Sequence, residues 1–157
     1  MTFCNFAFMK KLLIILACTL SPFLAKAQDG YYIQCEDTCN HIHGIDISHY
    51  QGQVFWEVIG ENSKMAYVYI KATEGGDRID PRYERNIELA HQYGLKVGSY
   101  HFFRPKTSLK KQLDNFMMQC RPADQDLIPM IDVETKSGLP TPEFCDSLTK
   151  FIALVEE

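Results

Sequence analysis

The sequence predicts an α/β fold of the β/α-barrel (TIM-like) type, with the N-terminal half, about four βα units, present. Three observations predict it. Short apolar runs rich in β-branched residues alternate with amphipathic stretches, the pattern of βαβ units joined into a parallel sheet. Polar residues collect at the carboxyl ends of those runs: Asp46 and Ser48, Lys71 to Glu74, Tyr100 to Phe102, Asp132 and Glu134. In a β/α barrel that end carries the active site. Finally, Asp132-Val133-Glu134 closes the apolar run Leu127-Ile128-Pro129-Met130-Ile131 and brings two carboxylates together.

Each element has its own signal. Gly44 to Ser48 reads as a first strand, with Asp46 and Ser48 on one face, and Val54 to Ile59 as a short helix holding the single tryptophan, Trp56. Trp56 is expected in the core, ahead of the alternative that it offers a flat face to a sugar ring. Met65 to Lys71 is a second strand, followed by a loop over Ala72-Thr73-Glu74-Gly75-Gly76. Pro81 to Tyr93 forms a helix whose apolar face is Tyr83, Ile87 and Ala90, stopped by Gly94. Leu95 to Phe103 is a third strand, Ser108 to Met118 a helix, Leu127 to Glu134 a fourth and buried strand, and Pro142 to Val155 a last helix.

The amino terminus reads as an export signal. Lys10-Lys11 precede the apolar stretch Leu12 to Leu24, and Ala25-Lys26-Ala27 offers a small-x-small cleavage site. The stretch is short for a membrane span and contains Pro22, so no anchor is expected. Cleavage after Ala27 is preferred over lipidation at Cys18. The domain reading is therefore a signal peptide over 1–27, a cysteine-containing lead-in over 28–43 and a catalytic domain over 44–157. The chain carries a net charge of −4, and the leader removes only basic residues. An acidic exported protein without a basic cluster argues against nucleic acid as a partner. Cys35, Cys39, Cys120 and Cys145 remain after cleavage and suggest two disulfides, with the pairing open. An oxidising compartment disfavours zinc at Cys35, Cys39, His41 and His43, and no cofactor motif is read.

The acid pair carries the chemistry. Residues i and i+2 of a strand share a face about 6.6 Å apart. Two acids that close cannot both ionise freely, so one holds its proton near neutral pH. That is the minimum equipment for cleaving a glycosidic bond.

Four segments, in order, resemble the successive motifs of family 25 glycoside hydrolases. They are His43-Gly44-Ile45-Asp46-Ile47-Ser48-His49-Tyr50-Gln51-Gly52, Tyr69-Ile70-Lys71-Ala72-Thr73-Glu74-Gly75, Gly98-Ser99-Tyr100-His101-Phe102 and Ile131-Asp132-Val133-Glu134. Those enzymes are N,O-diacetylmuramidase lysozymes, which cut peptidoglycan between N-acetylmuramic acid and N-acetylglucosamine. The resemblance implies that Glu134 is the proton donor, Asp132 the assisting carboxylate and Asp46 a further acid at the end of the first strand. Tyr100 falls in the sugar-binding site, supported by Gln51 and Lys71. The glycan strands of peptidoglycan are the implied partner.

The residues themselves add expectations. Glu134 should carry the raised pKa if it occupies the more enclosed position, while Asp132 stays ionised and works either as nucleophile or beside the substrate's own N-acetyl group. Lys71 should pair with Glu74, Asp46 or Asp132, and His101 should be a packing histidine. The four predicted strands are half of the eight in a complete barrel. A sheet open at two parallel edges is expected to self-associate or aggregate. Two readings follow: a muramidase, or a catalytically incomplete remnant acting as a glycan-binding or interaction module.

Overall fold

The computed structural model describes residues 41–156. The expected signal peptide, Cys18, Cys35, Cys39 and most of the lead-in lie outside the described residues. Five strands and four helices follow in chain order: β1 (His43–Ile47), α1 (Trp56–Gly60), β2 (Met65–Glu74), β3 (Arg78–Ile79), α2 (Tyr83–Gln92), β4 (Lys96–Phe102), α3 (Leu109–Gln119), β5 (Met130–Asp132) and α4 (Thr141–Glu156). The sheet runs β1-β2-β4-β5, all parallel, and β3 turns back antiparallel on the end of β2.

Strand alternation gives the sheet two unlike faces. One face carries Ile45, Val68 and Val97 in register, then Ile47, Ile70 and Ser99, then Thr73, His101 and Ile131. The helices lie on this face. Phe151 of α4 stacks on Phe103 at 5.2 Å and sits against His101, Phe116 of α3 meets the same imidazole, and Tyr83 of α2 shares a 2.6 Å hydrogen bond with Ser99. Val68, Ile70, Val97, Phe103, Phe116 and Phe151 are fully buried there.

The other face carries Gly44 beside Tyr67, then Asp46, Tyr69 and Gly98, then Lys71, Tyr100 and Met130, then Glu74, Phe102 and Asp132. A Cβ on Gly44 would overlap the Tyr67 ring, and one on Gly98 would overlap Tyr69. Both glycines therefore let a tyrosine lie flat across the neighbouring strand. Tyr69 reaches far enough to donate a 3.1 Å hydrogen bond to the Ile128 carbonyl ahead of β5.

Several expectations need correction. The expected loop at Ala72 to Glu74 is strand: β2 continues to Glu74, and a bulge at Ala72 passes the register from Lys71–Tyr100 directly to Thr73–His101. In unbroken alternation Glu74, three residues after Lys71, would point toward the helices; the bulge returns it to the face of Lys71. The fourth strand spans only Met130–Asp132 and is half-buried, because it pairs with β4 alone. The two disulfides are not found at their described members. Cys120 is buried behind Ser99 at the end of α3, Cys145 is exposed on α4, and both are free. Gly94 does end α2, at φ 77°, and Trp56 is core at 2% exposure.

Candidate active site at the carboxyl edge of the sheet

The carboxyl ends of β1, β2, β4 and β5 bring Asp46, Lys71, Tyr100 and Asp132 to one edge of the open face. Tyr100 is 7% exposed. Its hydroxyl is raised above the ordinary phenol range by burial first, then by the charges of Asp46, Asp132 and Asp80, against a hydrogen bond with Ser48. It stays a neutral donor among carboxylates.

Asp132 is half-buried, and its carboxyl is raised by desolvation, then by Glu134 and Asp46, with Lys71 pulling the other way. Glu134 sits two residues past the end of β5 and is exposed, so the enclosed position belongs to Asp132. The strand alternation invoked for the pair does not reach Glu134. The two acids are nonetheless electrostatic neighbours.

Lys71 pairs with Glu74, one of its three expected partners, at 2.7 Å, and both side chains are nearly buried. Glu74 also accepts from Arg78 Nη1 at 2.7 Å and from Arg104 Nε and Nη2 at 3.0 and 2.5 Å. Burial alone would raise Glu74, but the hydrogen bonds and charges of Lys71 and Arg104 outweigh it and bring the carboxyl to about 2. Two of these cations also lie over the Phe102 ring, Lys71 Nζ at 4.7 Å and the Arg104 guanidinium at 4.5 Å from its centre.

Gln51 is committed locally. In the 3-10 turn His49–Gln51 its Oε1 accepts from Ser48 N at 2.6 Å and Ser48 Oγ at 3.0 Å, closing a capping box. It shapes the chain after Asp46, and its own oxygen is already occupied.

His101 is the packing histidine expected. Its Nε2 donates to Gln112 Oε1 at 3.1 Å, since that oxygen also accepts from Arg104 N. Nδ1 then accepts from the Thr73 hydroxyl at 2.7 Å. Full burial, first of all, lowers its pKa to about 4, so the ring is neutral.

Sequence reasoning missed Asp80, Arg104 and Arg78. Asp80, with a fully buried side chain, accepts from both the backbone N–H and Nδ1 of His49, at 2.8 and 2.7 Å, and from Arg82 N. Thirty-one residues separate the pair in sequence. No local pattern announces it beyond an Asp-Pro turn ahead of a helix.

The site can also be set beside known proteins. The model of "Glycosyl hydrolases family 25" matches residues 45–157. The Escherichia coli protein YegX is 31% identical over 120 residues, which is 74% of this chain and 44% of that protein. "Lysozyme M1" of Streptomyces globisporus is 42% identical over 67 residues, covering 43% of this chain and 22% of the relative. Among solved structures, the lysozyme of Streptomyces coelicolor superposes with a TM-score of 0.65 at 33% identity, over 76% of this chain and 59% of that one. The chain thus spans less than two thirds of each of these relatives.

Proposed function

This chain belongs to glycosyl hydrolase family 25, and on that premise we propose that it carries the acid machinery of a muramidase. The reaction is hydrolysis of the β-1,4 bond between N-acetylmuramic acid and N-acetylglucosamine in peptidoglycan. The observation that carries the reading is the convergence of Asp46, Lys71, Tyr100 and Asp132 from four parallel strands, with Glu134 beside Asp132. In this reading Glu134, on the solvent side, gives a proton to the leaving oxygen. Asp132 balances positive charge on the sugar ring or on the substrate's N-acetyl group. Tyr100 donates a hydrogen bond, Lys71 sets the local charge and Gln51 holds the turn after Asp46. The proposed setting is outside the cell, and the proposed scaffold is the first half of a β/α barrel.

Glu134→Gln tests this, assayed on peptidoglycan with the chain both alone and joined to the second half of a relative's barrel. Activity should fall by about 10²–10⁴-fold while glycan binding persists. New reducing ends should be muramic acid. A loss under about tenfold would assign the proton to another residue. Absence of turnover in both forms, with glycan binding retained, would favour the glycan-binding module.

A further inference from the structure

We infer that the cationic pocket beyond Glu74 is a carboxylate-binding subsite, built to take the acidic end of a short peptide attached to the glycan. A cavity of ≈ 250 Å³ opens where the β2–β3 hairpin meets the loop after β4, lined by Glu74, Arg78, Arg104, Lys106, Thr107 and Ser137. Lys71 backs it. Against Glu74 and Asp77 this leaves a surplus of positive charge, in a chain whose net charge is −4.

Lys71, Arg78 and Arg104 all pair with the single carboxylate of Glu74, more cations than its neutralisation requires. Arg104 and Arg78 each bind Glu74 with one edge and remain partly open, their side chains 38% and 70% exposed. Lys106 is exposed and makes no ion pair among the described residues. Two buried amides of α3 fix the backbones that carry the arginines. Gln112 accepts from Arg104 N at 2.9 Å and donates to the carbonyls of Arg104 and Thr107 at 3.0 and 3.1 Å. Asn115 donates to the carbonyls of Gly75 and Arg78 at 3.0 and 3.1 Å. Buried polar side chains are costly unless fully bonded, so both loops are locked in register with their guanidinium groups converging. A planar guanidinium with a free edge matches a carboxylate in two-point fashion.

Position selects the ligand. Phe102, which packs on Lys71 and Arg104, is in register with Asp132, so the pocket adjoins the acid pair along the strand ends. The identity of the ligand rests on the muramidase reading: in peptidoglycan, peptides bearing free carboxylates hang from the sugar next to the scissile bond.

The test is a titration of the uniformly ¹⁵N-labelled full chain with N-acetyl-L-alanyl-D-glutamate, its bis-amide and glycerol phosphate. The dipeptide should move the amide resonances of Gly75, Gly76 and Thr107, weaken in 0.5 M salt, and lose at least about fivefold affinity in both Arg104→Gln and Lys106→Gln. Lys106→Gln carries the decision if Arg104→Gln unfolds, because Lys106 is exposed. Equal binding of the bis-amide, a response to glycerol phosphate alone, or unchanged affinity in Lys106→Gln would overturn the inference. Glu134→Gln should bind the dipeptide normally. Cleavage by the intact protein without dipeptide binding would sink this subsite alone. Dipeptide binding without cleavage, both alone and with the barrel completed, would sink the muramidase reading alone.

Discussion

The two faces of one sheet are built from the same strands and do opposite work. The helix-covered face is aliphatic and aromatic, and the polar side chains its strands turn inward are bonded to the helices or to one another: Ser99 with Tyr83, His101 with Thr73 and Gln112. The other face is tyrosine and charge, with like-charged Asp46, Asp132 and Glu134 near one another. Packing removes apolar area from water on the first face and stabilises the fold. The second retains repulsion that stability alone would eliminate. A single residue step along a strand moves a side chain from one regime to the other, and the bulge at Ala72 shows how one extra residue transfers Glu74 between them.

The covered side is the more sensitive of the two. Phe151→Ala should cost about 3–5 kcal/mol, because the ring is fully buried and anchors α4 to Phe103 and His101. A denaturant melt checks this, and a loss under about 1 kcal/mol would mean that α4 is not part of the core.

Acid should loosen the covered face next. His101 is lowered from 6.5 to about 4 in the fold, so the unfolded chain binds the extra proton between those values. Its contribution is present above pH 6.5 and is lost as pH falls toward 4, on the order of 3 kcal/mol. Glu74 follows with the same sign at lower pH, from its ordinary 4.5 down to about 2. Stability measured across pH 7 to 3 should fall in the wild type, and its pH 6.5-to-4 component should shrink in His101→Gln. An unchanged profile in that variant would remove His101 as the source.

On the open face, Gly98→Ala should cost about 1–3 kcal/mol by displacing the Tyr69 ring and its bond to Ile128. The contrast with Gly94→Ala is instructive, since Gly94 has space around it but a φ of 77°. The near-ultraviolet signal of the tyrosines should change in the first variant only.

The smallest effect has the opposite sign. Asp132 is raised above its ordinary value, so its charged form is disfavoured by folding and its contribution declines as pH rises through that range. Asp132→Asn should leave thermal stability at pH 7 unchanged or raised by about 0.5 kcal/mol while activity falls. A clear destabilisation would show that the Lys71 attraction outweighs burial and the neighbouring acids.

The order of elements was legible because hydrophobic period and turn residues act locally. Ser108 caps α3, Gly94 ends α2 in the left-handed region, and Trp56 falls in the core as its apolar setting implied. The clustering of Asp46, Lys71, Tyr100 and Asp132 was legible too, since parallel strands align their carboxyl ends. The last strand was not: the run Leu127 to Glu134 has strand composition, but pairing with β4 alone supports only three of its residues.

By itself the sequence determined the α/β alternation, the family motifs and the edge at which the acids gather, because these depend on side-chain period and neighbours a few residues apart. Tertiary structure alone decided which acid is enclosed, which cations share Glu74, that Asp80 anchors His49, and that Cys120 and Cys145 stay free. Each of those depends on burial and on partners up to about thirty residues away. Desolvation and charge pairing act through space and leave no period in the chain.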